Sequence, residues 1–214
     1  LYFEQAQPAD LLCAYPIGAA FLDGPATLNP SELRELQEQR FARVIERAWQ
    51  IPFYQQHWRA AGLEPGDVQT LDDLVHVPVF TKTDLMASVK RAPPLGDYHG
   101  IGGNGSGVHR AILHTTSGTT GEPQPLFFGP RDREIQNILL ARAYLLQGLR
   151  PDDVIHSVYG FGMVNGGHYI REAILHYTQA LLLPAGTGAE TRSRLQVDLM
   201  HRFGATVLVG FSDF

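Results

Sequence analysis

The sequence predicts an α/β protein, a helical N-terminal region followed by a mostly parallel, helix-flanked sheet. Three observations predict it. A capped helix with an apolar stripe dominates the early chain. A Gly- and Pro-rich stretch then interrupts all periodicity. Beyond it, short strand-like runs alternate with helical runs of ~10–15 residues, the pattern that builds parallel sheets through crossover helices.

The elements follow in order. Residues 1–28 are punctuated by Pro and Gly and receive no assignment; Leu1-Tyr2-Phe3 resembles part of a protease-cleavable linker and is left outside the fold. Asn29 can cap a helix, with Pro30 at its first position and Glu32 placed for a capping box. Leu33, Leu36, Phe41, Val44, Ile45, Ala48 and Trp49 follow at helical spacing and are expected to face a core. The Ile51-Pro52 pair ends this helix, because Pro disfavours helical geometry in the residue before it. A shorter helix is expected over 55–61, stopping at Gly62. Leu71-Asp72-Asp73-Leu74 and Lys82-Thr83-Asp84-Leu85 read as short helical turns around Pro78. Residues 92–107, with Gly102-Gly103-Asn104-Gly105-Ser106-Gly107 in a row, read as a linker. This divides the chain into a helical region over 1–105 and an α/β region over 106–214.

In the second region, strands are expected at 111–115 and 126–128. A helix follows at 131–149, with Ile135, Ile138, Leu139, Tyr144 and Leu145 on its apolar face. Strands at 154–159, 180–183 and 206–209 alternate with helices at 167–178 and 190–203. The chain ends directly after the last strand, which reads as a truncated crossover.

Composition narrows the function classes. Of 214 residues, 44% are hydrophobic and 18% charged, the balance of a soluble globular protein. Lys plus Arg is 17 against 22 for Asp plus Glu, a net charge of -5, which argues against a nucleic-acid-binding surface. The longest apolar run, Ala180-Leu181-Leu182-Leu183, falls far short of the ~18–20 residues of a membrane span. The N-terminus lacks a signal-peptide layout, so the chain is assigned to the cytoplasm. Cys13 is the single cysteine, which excludes an intrachain disulfide and suits a reducing compartment; it reads as a small buried apolar residue. His109 and His114 lack the spacing and supporting ligands of a zinc site, so no metal set is read. The pairs Asp72-Asp73 and Asp152-Asp153 read as helix caps.

One segment concentrates the chemistry. Thr115-Thr116-Ser117-Gly118-Thr119-Thr120-Gly121-Glu122-Pro123 packs hydroxyls and two glycines into a short span after a strand. Glycines allow successive N–H groups to converge on an anion, and Thr116, Ser117, Thr119 and Thr120 add O–H donors for phosphate oxygens. Pro123 stiffens the exit. No Gly-Lys-Ser/Thr follows, so this is not a Walker A loop. A plain Gly/Thr turn is the alternative for any isolated Gly-x-x-Gly.

The full string resembles the signature loop of the adenylate-forming superfamily of acyl-CoA synthetases, adenylation domains and luciferases. More narrowly, the chain is similar to phenylacetate-CoA ligases. It shares their layout of Leu33-Arg34-Glu35-Leu36-Gln37, Pro52-Phe53-Tyr54, Ala61-Gly62, Leu71-Asp72-Asp73-Leu74, Pro78 and Thr81-Lys82-Thr83-Asp84-Leu85. Tyr159-Gly160-Phe161-Gly162 with Gly166-Gly167 resembles the family's aromatic-glycine stretch at the acyl pocket. Two positions depart from the pattern: Glu122 stands where many members have Lys, and Gln124 replaces a common Thr or Ser.

The resemblance implies part of a larger adenylate-forming N-terminal domain. It implies ATP-dependent activation of a carboxylic acid, aromatic on the strength of the pocket aromatics, to an acyl-adenylate. Thioester formation with coenzyme A follows, with Mg²⁺ on the phosphates. Thr116, Ser117, Gly118, Thr119, Thr120, Gly121 and Pro123 would bind phosphate. Tyr159, Phe161, Gly162, Gly166, Gly167 and His168 would line the acid pocket, with strand-end packing the alternative for the aromatics and a helix-start hydrogen bond the alternative for His168. The family's magnesium-binding Glu, ribose-binding Asp and catalytic Lys lie further along and are not found before Phe214. Catalytic residues are therefore unassigned, and the 214-residue chain is expected to be an inactive piece of the enzyme. Transfer of the acyl group to a carrier protein or an amine stays open as an alternative, as does a non-catalytic nucleotide-binding module. The family likeness also admits a homodimer.

Overall fold

The computed structural model describes residues 1–100, 111–116 and 122–211. The chain forms two compact units: Leu1–Ala26, Ile112–Pro123 and Phe128–Phe214 make one, and Thr27–Ala111 with Gln124–Phe127 make the other. The boundary expected between residues 105 and 106 falls outside the described residues.

In the first unit, the unassigned N-terminal stretch folds into three short helices, α1 (Tyr2–Ala6), α2 (Pro8–Ala14) and α3 (Gly18–Leu22). Helices this short are marginal alone. Contacts with a long helix hold them: Arg142 donates to Pro16 O at 2.9 Å and lies 4.3 Å over the Phe21 ring. Tyr2 also bonds that helix, so the opening residues are built into the fold. Cys13 is exposed, contrary to expectation: α2 turns its buried side, marked by Leu11, away from it.

In the second unit, α4 (Pro30–Ala48) starts as the capping box predicts. Asn29 Oδ1 accepts from Ser31 N at 2.9 Å and Glu32 N at 3.0 Å, while Glu32 accepts from Asn29 N. Its apolar stripe is buried only toward its C-terminal end, where Ile45 packs with Trp58, Val68 and Phe41. Leu33 is exposed because the cluster around Ile45 forms only at that end, and Val44, beside Ile45, is exposed because it points to a side of α4 that the cluster does not cover. Helix α5 (Pro52–Ala60) begins at Pro52, three residues earlier than expected, since Pro at the first helical position both ends one helix and starts the next. A 3-10 helix spans Leu71–His76, capped by Asp73, and α6 spans Lys82–Arg91.

The first unit continues with β1 (Ile112–Thr115). Strand β2 (Pro125–Phe128) follows in sequence, its residues up to Phe127 belonging to the second unit, and the first unit then resumes with α7 (Pro130–Leu146), β3 (Val154–Ser157), α8 (Gly166–Tyr177), β4 (Leu181–Pro184), α9 (Ser193–Phe203) and β5 (Val207–Val209). The α/β expectation holds. Strands β4, β3 and β5 form a parallel sheet in that order, with Ile155 opposite Leu182 on one side and Val207 on the other. Successive strand residues face opposite ways. Ile155 packs with Ile170 and Ile174 of α8 and with Leu140 and Tyr144 of α7. His156 faces α9, where its Nε2 meets Gln196 Oε1 at 3.0 Å. Helices thus flank both faces. Gly204, with φ 64°, ends α9 in the left-handed conformation that glycine tolerates.

Two expectations fail in this unit. Asp153 caps no helix: its carboxylate accepts from Arg150 N at 2.7 Å and Thr206 Oγ1 at 2.8 Å, joining the entries to β3 and β5. The inner face of α7 is not the predicted apolar stripe. Glu134, Asn137, Ile138 and Ala141 are buried there, while Leu139 is exposed. Glu134 is tolerated because α1 and α8 supply its partners, and Asn137 donates to Glu172 of α8 at 3.4 Å while its Oδ1 has no partner among the described residues.

Candidate functional site

In open parallel sheets, ligands bind beyond the carboxyl ends of the strands. Strand β3 ends at Ser157, and the Tyr159-to-His168 stretch begins directly after it. The Tyr159 ring is half-buried, lies against the core around Ile155, and its centroid is 4.7 Å from that of Phe211, with the two planes tilted by 55°. Strand β4 leads into a turn where the Glu190 carboxylate accepts from Thr187 N at 2.8 Å and from the Thr187 hydroxyl. Gly160 lies against this turn: a Cβ there would stand 3.1 Å from Thr187 Cγ2 and 3.2 Å from Glu190 Oε1.

Helix α8 begins at Gly166, and its first turn presses on the preceding loop. A Cβ on Gly167 would sit 2.2 Å from the Gly160 carbonyl oxygen, so only glycine permits this approach. At Gly166 an added Cβ would meet the Tyr159 ring at an ordinary 3.6 Å. His168 Nε2 lies 2.8 Å from Gly162 O. Since a carbonyl only accepts, Nε2 is the donor. The Phe161 and His168 rings meet edge-on at 5.8 Å.

This stretch is bonded to β1, which leads into the hydroxyl- and glycine-rich segment. Met163 O accepts from Thr115 N at 2.9 Å and lies 3.1 Å from His114 Nδ1. His114 is fully buried and its ring lies 5.0 Å from that of His168 and 6.0 Å from that of Phe128. Burial, aided by the nearby His168 and Arg133, holds its pKa below the usual histidine value, with the Met163 bond opposing.

The structure brings together Tyr159, Phe161, Gly162, Gly166, Gly167 and His168 around the end of β3 and the start of α8. Thr116 follows β1 and is half-buried; Glu122 and Pro123 are exposed. Ser117, Gly118, Thr119, Thr120 and Gly121 lie outside the described residues. Missed by sequence reasoning were Met163, whose contribution is a backbone oxygen, and His114, weighed only as a metal ligand. The signal for His114 was its inward position on β1, one residue before the loop. Among the described residues, no group of three or more His, Cys, Asp or Glu is placed to hold a metal ion. None of their helices is long and apolar enough to cross a membrane.

No family model matches the chain. It is 32% identical over 145 residues to a phenylacetate-coenzyme A ligase of Thermus thermophilus, matching 66% of this chain and 30% of that protein. It is 30% identical over 181 residues to the Escherichia coli phenylacetate-coenzyme A ligase, matching 82% and 38%. Among solved structures, it resembles an open conformation of 2-hydroxyisobutyryl-CoA ligase in complex with 2-HIB-AMP and CoA. That match has 27% identity and TM-score 0.76, over 86% of this chain and 38% of that one. The same ligase in its thioesterification state matches with 29% identity and TM-score 0.76. The chain spans between 30% and 38% of the length of these relatives.

Proposed function

Because the chain is homologous to part of the phenylacetate-CoA ligases, which are adenylate-forming enzymes, we propose that it is a portion of an AMP-forming acid–CoA ligase. The acid's carboxylate oxygen attacks the α-phosphorus of ATP as the bond to pyrophosphate breaks, giving an acyl-adenylate. The thiol of coenzyme A then attacks the acyl carbon and AMP leaves. Positioning and charge stabilisation dominate such phosphoryl chemistry, which requires no nucleophilic side chain from this chain.

Thr116, Ser117, Gly118, Thr119, Thr120, Gly121 and Pro123 form the phosphate-holding segment in this proposal. Tyr159, Phe161, Gly162, Gly166, Gly167 and His168 line the acid pocket, where a flat aromatic acid would lie between ring and backbone. The observation that supports the pairing is the Met163 carbonyl, which bonds β1 just ahead of Thr116 and lies within the acid-pocket stretch. Mg²⁺ belongs to the same chemistry when bound, neutralising phosphate charge. Among the described residues, no group of three or more His, Cys, Asp or Glu is placed to hold it.

The test is acid-dependent ATP–pyrophosphate exchange by the full-length enzyme across a panel including phenylacetate and 2-hydroxyisobutyrate, with thioester analysis in the presence and absence of CoA. Absence of exchange with every acid would sink the proposal. Within it, Phe161→Ala is expected to change relative kcat/KM among the acids by about tenfold, more than it changes the KM for ATP. An unchanged ranking of acids would remove Phe161 from the pocket.

A further inference from the structure

One backbone oxygen joins the two halves of the proposed site. Met163 O accepts from Thr115 N at 2.9 Å and stands 3.1 Å from His114 Nδ1, so two consecutive residues of β1 converge on it. A carbonyl cannot donate, which places the His114 ring proton on Nδ1 and leaves Nε2 bare. That Nε2 is buried and has no hydrogen-bond partner among the described residues. His114 is 2% exposed, so the ring makes its one polar contact through Nδ1 and packs otherwise against His168 and Phe128. The neighbouring carbonyl, Gly162 O, takes the Nε2 proton of His168. Two imidazoles therefore hold adjacent carbonyls of the stretch between β3 and α8.

We infer that His114 is a positioning residue that couples the acid pocket to the nucleotide segment through the Met163 carbonyl; the inference rests on the proposed function. Two donors from consecutive residues fix the Met163 carbonyl against β1 more closely than one donor would. When an acid orders the 159–168 stretch, Met163 O fixes both His114 and Thr115, and with them the start of the segment at Thr116. Coupling of this kind is reciprocal: the acid tightens nucleotide binding by the factor by which the nucleotide tightens acid binding.

The experiment uses the full-length enzyme, α,β-methylene-ATP as a nucleotide that cannot be adenylated, and whichever acid of the panel drives exchange best. Calorimetry measures the nucleotide Kd with and without saturating acid. The wild-type ratio is expected to exceed one. His114→Phe, which keeps a ring and removes the donor, is expected to lower that ratio by about two- to tenfold, the scale of one hydrogen bond. His114→Asn, whose amide N–H stands near Nδ1 and which lacks Nε2, is expected to restore the ratio. A wild-type ratio of one, an unchanged ratio in His114→Phe or no rescue by His114→Asn overturns the inference. In the wild-type enzyme, ¹⁵N NMR of the His114 ring is expected to show a shift of Nδ1 when acid alone is added. A stationary Nδ1 signal overturns the inference even if the Phe variant does not fold. Absence of exchange with every acid marks failure of the proposed function itself.

Discussion

Glu134 offers the most exacting test of how the first unit is held together. Its side chain is completely buried on α7. The carboxylate accepts from Tyr2 of α1 at 2.9 Å, from Tyr177 of α8 at 2.6 Å, and meets His176 Nδ1 at 3.2 Å. Burial alone would push this carboxyl up; hydrogen bonds from His176, Tyr177 and Tyr2 reverse that and bring it to about 2, against an ordinary 4.5. Its bond to Glu134 raises the His176 pKa above the usual 6.5, against burial. A carboxyl held near 2 corresponds to about 3 kcal/mol of folding free energy at neutral pH. Three hydrogen bonds that each weaken by about 1 kcal/mol when the acceptor loses its charge give the same total. Glu134→Gln is therefore expected to destabilise the chain by about 2–3 kcal/mol near pH 6, after some relief of desolvation. The pH signs differ for the two partners. Glu134 is depressed, so its contribution is present above 4.5 and is lost as pH falls toward about 2. His176 is raised, so its contribution is complete below 6.5 and is lost as pH rises through its folded value. Around His176 stand Glu134, Tyr177, Glu172, Arg133 and the Phe3 ring, and Glu134 supplies its direct charged contact. Urea denaturation followed by circular dichroism at about pH 6 and about pH 9 should show wild-type stability falling, and Glu134→Gln nearly flat. Equal stability of the two proteins at about pH 6, or parallel slopes, would exclude the Glu134–His176 pair as the source of the difference.

Two further predictions concern the backbone. Gly167→Ala is expected to cost about 1–3 kcal/mol in urea denaturation and to weaken acid binding, because its Cβ would meet Gly160 O at 2.2 Å, while Gly166→Ala should be tolerated at 3.6 Å from the Tyr159 ring; equal effects of the two would rule out the close approach as the cause. Asn29→Ala removes the acceptor for Ser31 N and Glu32 N and should destabilise α4 by about 1 kcal/mol, with Asn29→Asp close to wild type in the same assay.

The parts of the fold legible in the sequence are those specified locally. Asn29, Pro30 and Glu32 announce α4 without reference to anything distant, and the alternation from β3 to β5 carries its own periodicity. What was missed depends on partners far along the chain. Helices α1 to α3 have no strong local signal and form against α7, through Arg142, Pro16 and Phe21. The buried face of α7 looked wrong because Glu134 and Asn137 are polar, and their partners stand in α1 and α8. The site follows the same rule. Tyr159, Phe161 and the glycines form a contiguous pattern, whereas the partner of His114 is a carbonyl 49 residues away.

Helix α8 links the buried Glu134 cluster to the loop that follows β3. Its 12 residues span about 18 Å, a short and stiff rod. Its last turn carries His176 and Tyr177, fastened to Glu134 of α7. Its middle is tied to α7 again, where Glu172 pairs with Arg133 and accepts from Asn137 at 3.4 Å. Its first turn presses Gly167 and His168 against the loop that follows β3, at Gly160 and Gly162. The Asn165 amide, one residue ahead, reaches Gln136 Oε1 at 3.0 Å, so α7 grips this helix along its whole length. Loosening the far end alone leaves the near-end contacts intact. Glu134→Gln should therefore lower stability while leaving the ranking of acids unchanged, whereas Gly167→Ala, acting where the helix meets the loop, should alter both.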